Sequence, residues 1–104
     1  MLKNGVEIDK PKIAEFCKKW KIREMALFGS ILRDDFRPDS DVDILLEFFP
    51  DAGLSLFDLV DIQDELKIML GREVDVVEKE GIINPYRRAT IFPTMEVIYA
   101  VSGT

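Results

Sequence analysis

Two aspartates, Asp41 and Asp43, stand one residue apart at the head of the run DVDILLEF. On a strand that spacing sends both side chains from one face, about 7 Å apart at the backbone, while Val42 and Ile44 turn into a core. Carboxylates so placed can converge on a hard cation, and Mg²⁺ takes one or two of them together with substrate phosphates. Without a cation the two repel, and at least one pKa rises. A D-x-D also occurs in calcium loops and at plain strand starts, so the pair alone leaves the metal open. Gly29-Ser30 adds phosphate donors. Glycine lets the backbone turn tightly and a large anion approach its amides, and a hydroxyl opening a short helix adds one more donor. The alternative is a strand-to-helix turn with Ser30 as its N-cap. Asp75, in EVDVV, leaves the face opposite Val74 and Val76. It is either an exposed strand residue or a third carboxylate, which would let two metal ions be bridged for in-line displacement at phosphorus.

These residues need strands behind them. Asp9 is placed to cap a helix from about Pro11 to Trp20, with Ile13, Phe16, Cys17 and Trp20 at helical spacing. Ile22–Phe28 reads as a strand ending at Gly29-Ser30, followed by a short turn or helix over 31–36 and a loop at Arg37-Pro38-Asp39. Asp41–Phe48 is the next strand. Ser55 opens a helix with Asp58 in the reciprocal capping position. That helix runs to about Leu70, with Leu56, Leu59, Ile62, Leu66 and Met69 as its buried stripe, Asp58, Asp61 and Glu65 opposite, and Gly71 as C-cap. Glu73–Val77 is a third strand, Asn84-Pro85 starts a shorter helix that Pro93 must end, and Glu96–Val101 is the last strand. The alternation of helix and strand implies an α/β or α+β sheet domain covered by helices.

Composition narrows the chemistry. The 104 residues hold 14 Lys plus Arg, 20 Asp plus Glu, no His and one Cys. Without His there is no Ser-His-Asp triad or His-based zinc site, and Cys17 alone gives neither a disulfide framework nor a CxxC pair. Net charge −6 argues against general binding to nucleic acid. Residues 3–23 carry seven of the bases, whereas residues 34–65 carry eleven acids and only Arg37. The length suits one domain over residues 1–104. The sequence shows neither a secretory leader nor a run long enough for a membrane span, and the expectation is a cytoplasmic protein.

The run Gly29-Ser30-x₂-Arg33, then Ser40-Asp41-x-Asp43 and a later strand Asp75, resembles the minimal nucleotidyltransferases of the DNA polymerase β-like superfamily. Their pattern is GSxARGE, then SDxDLxV and a VD strand. The resemblance covers nearly the whole chain and extends to the antitoxin members of HEPN/MNT toxin–antitoxin pairs. It implies a small mixed β-sheet flanked by helices. It also implies that Asp41 and Asp43 hold Mg²⁺, that Asp75 is the third carboxylate and helps activate the attacking hydroxyl, and that two ions take part. Gly29 and Ser30 would cradle the triphosphate of ATP, with Ser40 and Arg33 also on the nucleotide side. Arg33 stays open between a phosphate or partner contact and a structural ion pair. The implied reaction is transfer of AMP to a tyrosine of a cognate HEPN toxin. Leu32 and Asp34-Asp35 replace the usual Ala and Gly-Glu, which makes the loop bulkier and more acidic.

Two other readings remain at this level. The domain could neutralise a partner by contact alone, its acidic stretch meeting a basic surface. It could also transfer a nucleotide to a small molecule, although 104 residues leave no room for the further domain such enzymes generally carry. Cys17 is expected in the core. Arg87 and Arg88 are expected on a helix surface, within possible reach of nucleotide or partner. Trp20, Tyr86 and Tyr99 are expected to pack.

Overall fold

The computed structural model describes residues 2–101. The expected domain over 1–104 therefore includes Met1 and residues 102–104, which lie outside them. The chain runs β1 (Leu2–Lys3), β2 (Val6–Glu7), α1 (Lys10–Lys19), β3 (Ile22–Phe28), a 3₁₀ turn (Gly29–Leu32), β4 (Val42–Phe48), α2 (Leu56–Leu70), β5 (Val74–Glu78), a second 3₁₀ turn (Lys79–Gly81), α3 (Pro85–Ile91) and β6 (Glu96–Ala100). Four strands form a mixed sheet in the order β5-β4-β3-β6. β3 pairs antiparallel with β4 and β6, and β4 pairs parallel with β5, as the α2 crossover between them requires.

Local chemistry sets the element ends. Asp9 accepts from the Lys12 N–H at the start of α1. Ser55 and Asp58 form a reciprocal capping box on α2, and Gly71 ends that helix in the left-handed region at φ 66°. Asn84 accepts from the Tyr86 and Arg87 amides at α3.

Alternation along β3 and β4 divides the core into two layers. Met25, Leu27, Val42, Ile44 and Leu46 pack under α1 and α2 with Ile13, Phe16, Cys17, Ile62 and Leu66. Ala26, Phe28 and Leu45 face the other way, against Ile82 and Ile91 of the α3 side. Each fully buried large side chain contributes about 1.5–3 kcal/mol. Cys17 lies fully buried in this core, and burial pushes its thiol up to about 12. Glu65 joins the helices, accepting from Lys19 Nζ at 2.8 Å and Trp20 Nε1 at 2.7 Å.

Several expectations need correction. The turn after β3 is helical from Gly29 and not over 31–36, and Asp41 lies just ahead of its strand. The third strand is shifted one residue, to Val74–Glu78, and the last ends at Ala100. Leu56, the first residue of α2, is 80% exposed, and Phe57, Val60 and Ile68 are exposed with it, so the buried face of the helix is carried by Ile62 and Leu66. Glu65 is not on an outward face, since it bonds α1. The β1–β2 hairpin was not anticipated. Its Asn4-Gly5 turn has both residues at positive φ, 48° and 82°, the geometry two-residue hairpin loops favour. Among the described residues, no helix is long and apolar enough to cross a membrane.

Candidate active site

The sheet brings the singled-out residues to one edge. Phe28, the last residue of β3, pairs with Asp43 of β4, so the following turn begins beside the Asp43 carboxylate. Gly29 has φ +73°, and a Cβ there would collide with Asp43 Oδ2. Glycine is needed twice over, for the backbone conformation and for the space. The Ser30 amide donates to the Asp43 carboxylate. Ser30 Oγ lies 3.4 Å from the Asp41 carbonyl, a long hydrogen bond. The glycine-serine turn and the D-x-D segment, eleven residues apart in sequence, are therefore bonded to each other.

Asp75 stands opposite Asp43 in the parallel β4–β5 register, on strands about 4.8 Å apart. Asp43 is half-buried, whereas Asp41 and Asp75 are exposed. The Asp43 carboxyl is held above its ordinary range, chiefly by burial and then by the charge of Asp75. The Ser30 amide opposes that rise, Asp41 adds to it and Arg33 offsets part. Among the described residues, no three His, Cys, Asp or Glu side chains already converge on one point. The donor set nevertheless suits Mg²⁺: hard carboxylate oxygens from one sheet edge, beside a turn open to phosphate.

The remaining candidates serve the surrounding loop. Arg33 Nε is 3.4 Å from Asp35 Oδ1, an exposed contact. Ser40 Oγ accepts from the Arg37 amide at 3.1 Å, and the Ser40 amide donates to the Arg37 carbonyl at 3.0 Å. The hydroxyl thus closes the loop leading into Asp41.

Two positioning residues escaped the sequence reading. Arg72 donates to the carbonyls of Arg37 at 2.8 Å and Ser40 at 3.0 Å, and its guanidinium lies over the Phe36 ring at 4.8 Å. It ties the loop before Asp41 to the residues that lead into the Asp75 strand. Asn4 donates to the carbonyls of Ile31 and Arg33, pinning the far end of the glycine-serine turn. The Asn4-Gly5 hairpin signal was available in the sequence. Nothing local marks Arg72, since its acceptors are 32 and 35 residues away.

On the α3 side, Arg88 donates to the Ile82 carbonyl at 3.0 Å and lies over Phe92. Arg87 is exposed. Trp20 and Tyr99 pack against the core as expected, but Tyr86 is 84% exposed, because α3 turns it away from Ile82 and Ile91.

Comparison with known proteins places this geometry. The family model described as nucleotidyltransferase domain matches residues 10–97. The protein adenylyltransferase MntA of Thermococcus cleftensis is 32% identical over 85 residues, which is 82% of this chain and 81% of that one. A chain in the crystal structure of a toxin–antitoxin with AMP-PNP superposes with a TM-score of 0.70 at 18% identity, covering 91% of this chain and 76% of that one. A chain in the structure of a tri-AMPylated Shewanella oneidensis HEPN toxin in complex with its MNT antitoxin gives 0.62 at 18% identity, covering 88% and 70%. At that identity the two structures speak for the fold.

Proposed function

Because this chain belongs to the nucleotidyltransferase domain family, we propose that it transfers AMP from ATP to a tyrosine hydroxyl of a HEPN-type toxin and acts as the antitoxin of that pair. The observation that carries the reading is the register of Asp43 against Asp75, with the Gly29-Ser30 turn bonded to Asp43. The nearest alternative, neutralisation by contact alone, gives no reason to hold like charges together at a cost in ionisation. Residues 1–104 act as one minimal nucleotidyltransferase domain, working in the cytoplasm where ATP and its acceptor are found.

Each residue has a role in this reaction. The Gly29-Ser30 turn receives the β- and γ-phosphates, because its glycine lets an anion come close to the backbone. Asp41, Asp43 and Asp75 would hold Mg²⁺, two ions in this reading. Bound there, Mg²⁺ supplies positive charge to the triphosphate and to the attacking oxygen. Asp75, exposed at the edge, takes the proton of the tyrosine hydroxyl as its oxygen bonds to the α-phosphorus and pyrophosphate departs. Ser40 holds Asp41 in place through the loop, and Arg33 offsets charge beside Asp43. The absence of histidine is consistent with this division of labour.

ATP labelled at the α- or at the γ-phosphate distinguishes the reaction from its neighbours. Label from the α-position on the toxin supports adenylyl transfer. Label from the γ-position alone means phosphoryl transfer, and inhibition of the toxin without label means a binding module.

A further inference from the structure

The sheet face that carries Asp43 continues past Gly29 into an open cleft of about 450 Å³ against α3, within the size range of small-molecule sites. Phe28 and Gly29 form one wall, and Asn84, Tyr86 and Arg87 contribute to the other. Asn84 is occupied in capping α3. Thr90, also in the lining, donates to the Tyr86 carbonyl, which leaves the side chains of Tyr86 and Arg87.

Tyr86 keeps 84% of its surface in water, and its side chain makes no hydrogen bond among the described residues. The Arg87 guanidinium has neither an ion pair nor a hydrogen bond among the described residues, in a chain that carries six more acids than bases. Its neighbour Arg88 shows the contrast, being engaged by the Ile82 carbonyl and the Phe92 ring. An open aromatic face beside an unneutralised guanidinium suits a ligand that is both aromatic and anionic. A nucleotide is such a ligand: every base offers a π-face for stacking, and arginine's planar fork matches phosphate oxygens.

We propose that the cleft between Gly29 and α3 is the nucleoside subsite of this enzyme. Tyr86 provides the stacking surface for the base, and Arg87 provides counter-charge for the phosphates held at Gly29-Ser30. The proposal rests on the adenylyl-transfer reading and adds to it the residues that hold the donor. It also explains why α3 presents its aromatic side chain outward when two apolar residues of the same segment, Ile82 and Ile91, are buried.

The test is calorimetric binding of ATP and of inorganic tripolyphosphate to the full chain with Mg²⁺, for wild type and for Tyr86→Ala, Tyr86→Phe and Arg87→Ala. Tyr86→Ala should weaken ATP about tenfold and leave tripolyphosphate unchanged, while Tyr86→Phe binds as wild type. Arg87→Ala should weaken both ligands several-fold. Unchanged ATP affinity in Tyr86→Ala overturns the proposal, and a raised KM for the toxin in that variant would assign the cleft to the acceptor instead. Equal losses of ATP and tripolyphosphate in Tyr86→Ala would also overturn it, since stacking cannot affect a ligand without a base. Should wild type bind neither ligand, the adenylyl-donor reading itself falls, an outcome distinct from a failure of Tyr86 alone.

Discussion

The Asp43 carboxylate occupies the space in which a side chain at Gly29 would begin. The turn proposed to receive phosphate and the carboxylate proposed to hold Mg²⁺ are thereby fitted against each other, and neither can change without disturbing the other. Gly29→Ala should cost about 1–2 kcal/mol from the left-handed backbone alone, plus the displacement of Asp43. Urea unfolding reads the first effect. Transfer should fall about a hundredfold or more, because a shift of 1 Å at a reacting centre is enough for that.

The raised Asp43 pKa sets a pH dependence. The carboxylate must be ionised to hold a cation, so Mg²⁺-dependent transfer should decline on the acid side at a higher pH than an ordinary aspartate, near 3.9, would give. Raising Mg²⁺ should move that limb down, since proton and metal compete for the same oxygens. Rate profiles at two Mg²⁺ concentrations check this.

The same shift acts on stability with a definite sign. Asp43 binds its proton more tightly in the folded state than in the unfolded one. Its contribution to stability is therefore greatest below the unfolded pKa and is lost as pH rises through the folded value. Asp43→Asn removes the repulsion while keeping an acceptor for the Ser30 amide. The variant should melt at a higher temperature than wild type at neutral pH, and the difference should shrink in acid.

Arg72 should matter to activity more than to folding. Its two bonds to the loop before Asp41 are worth about 0.5–1.5 kcal/mol each. Residues that support metal ligands from behind commonly change affinity or rate by about 10–100-fold. Arg72→Lys keeps the charge but loses the double contact and the stacking on Phe36. It should raise the Mg²⁺ concentration for half-maximal transfer, with little change in KM for the toxin. Faster amide exchange at Ser40 would locate the cause in the loop.

Glu65 supplies the contrast. Its contacts to Lys19 and Trp20 join α1 to α2 on the face away from Asp43. Glu65→Ala should lower unfolding free energy by about 1–3 kcal/mol and leave the transfer rate unchanged at temperatures where the variant is folded.

What the sequence reveals of this molecule depends on the range of the interactions. Ile22–Phe28, the caps at Asp9, Ser55 and Asn84 and the stop at Gly71 are written in neighbouring residues, and the structure has them. The common face of Asp43 and Asp75 follows from strand alternation once the strands are known, whereas Asp41 precedes β4. Helical spacing identifies a stripe but not which of its members find a partner, and Leu56 does not. The sequence does not fix the direction of Tyr86, because a short helix has too few apolar residues to set its rotation. Arg72 could not be read at all, since its partners are backbone carbonyls, which no residue type marks. The hairpin at Asn4-Gly5 was readable, and its link to Ile31 and Arg33 was not.

In the proposed reaction Asp41 and Asp43 direct adenylyl transfer to a partner protein. Intact-mass spectrometry of a purified HEPN toxin, after incubation with this chain, ATP and Mg²⁺, tests it most directly. Wild type should add one or more adenylyl groups to the toxin, and a folded Asp41→Asn, Asp43→Asn double variant should add none while still binding the toxin. Adenylylation by the double variant, or full neutralisation of the toxin by wild type with no gain in mass, would contradict the account.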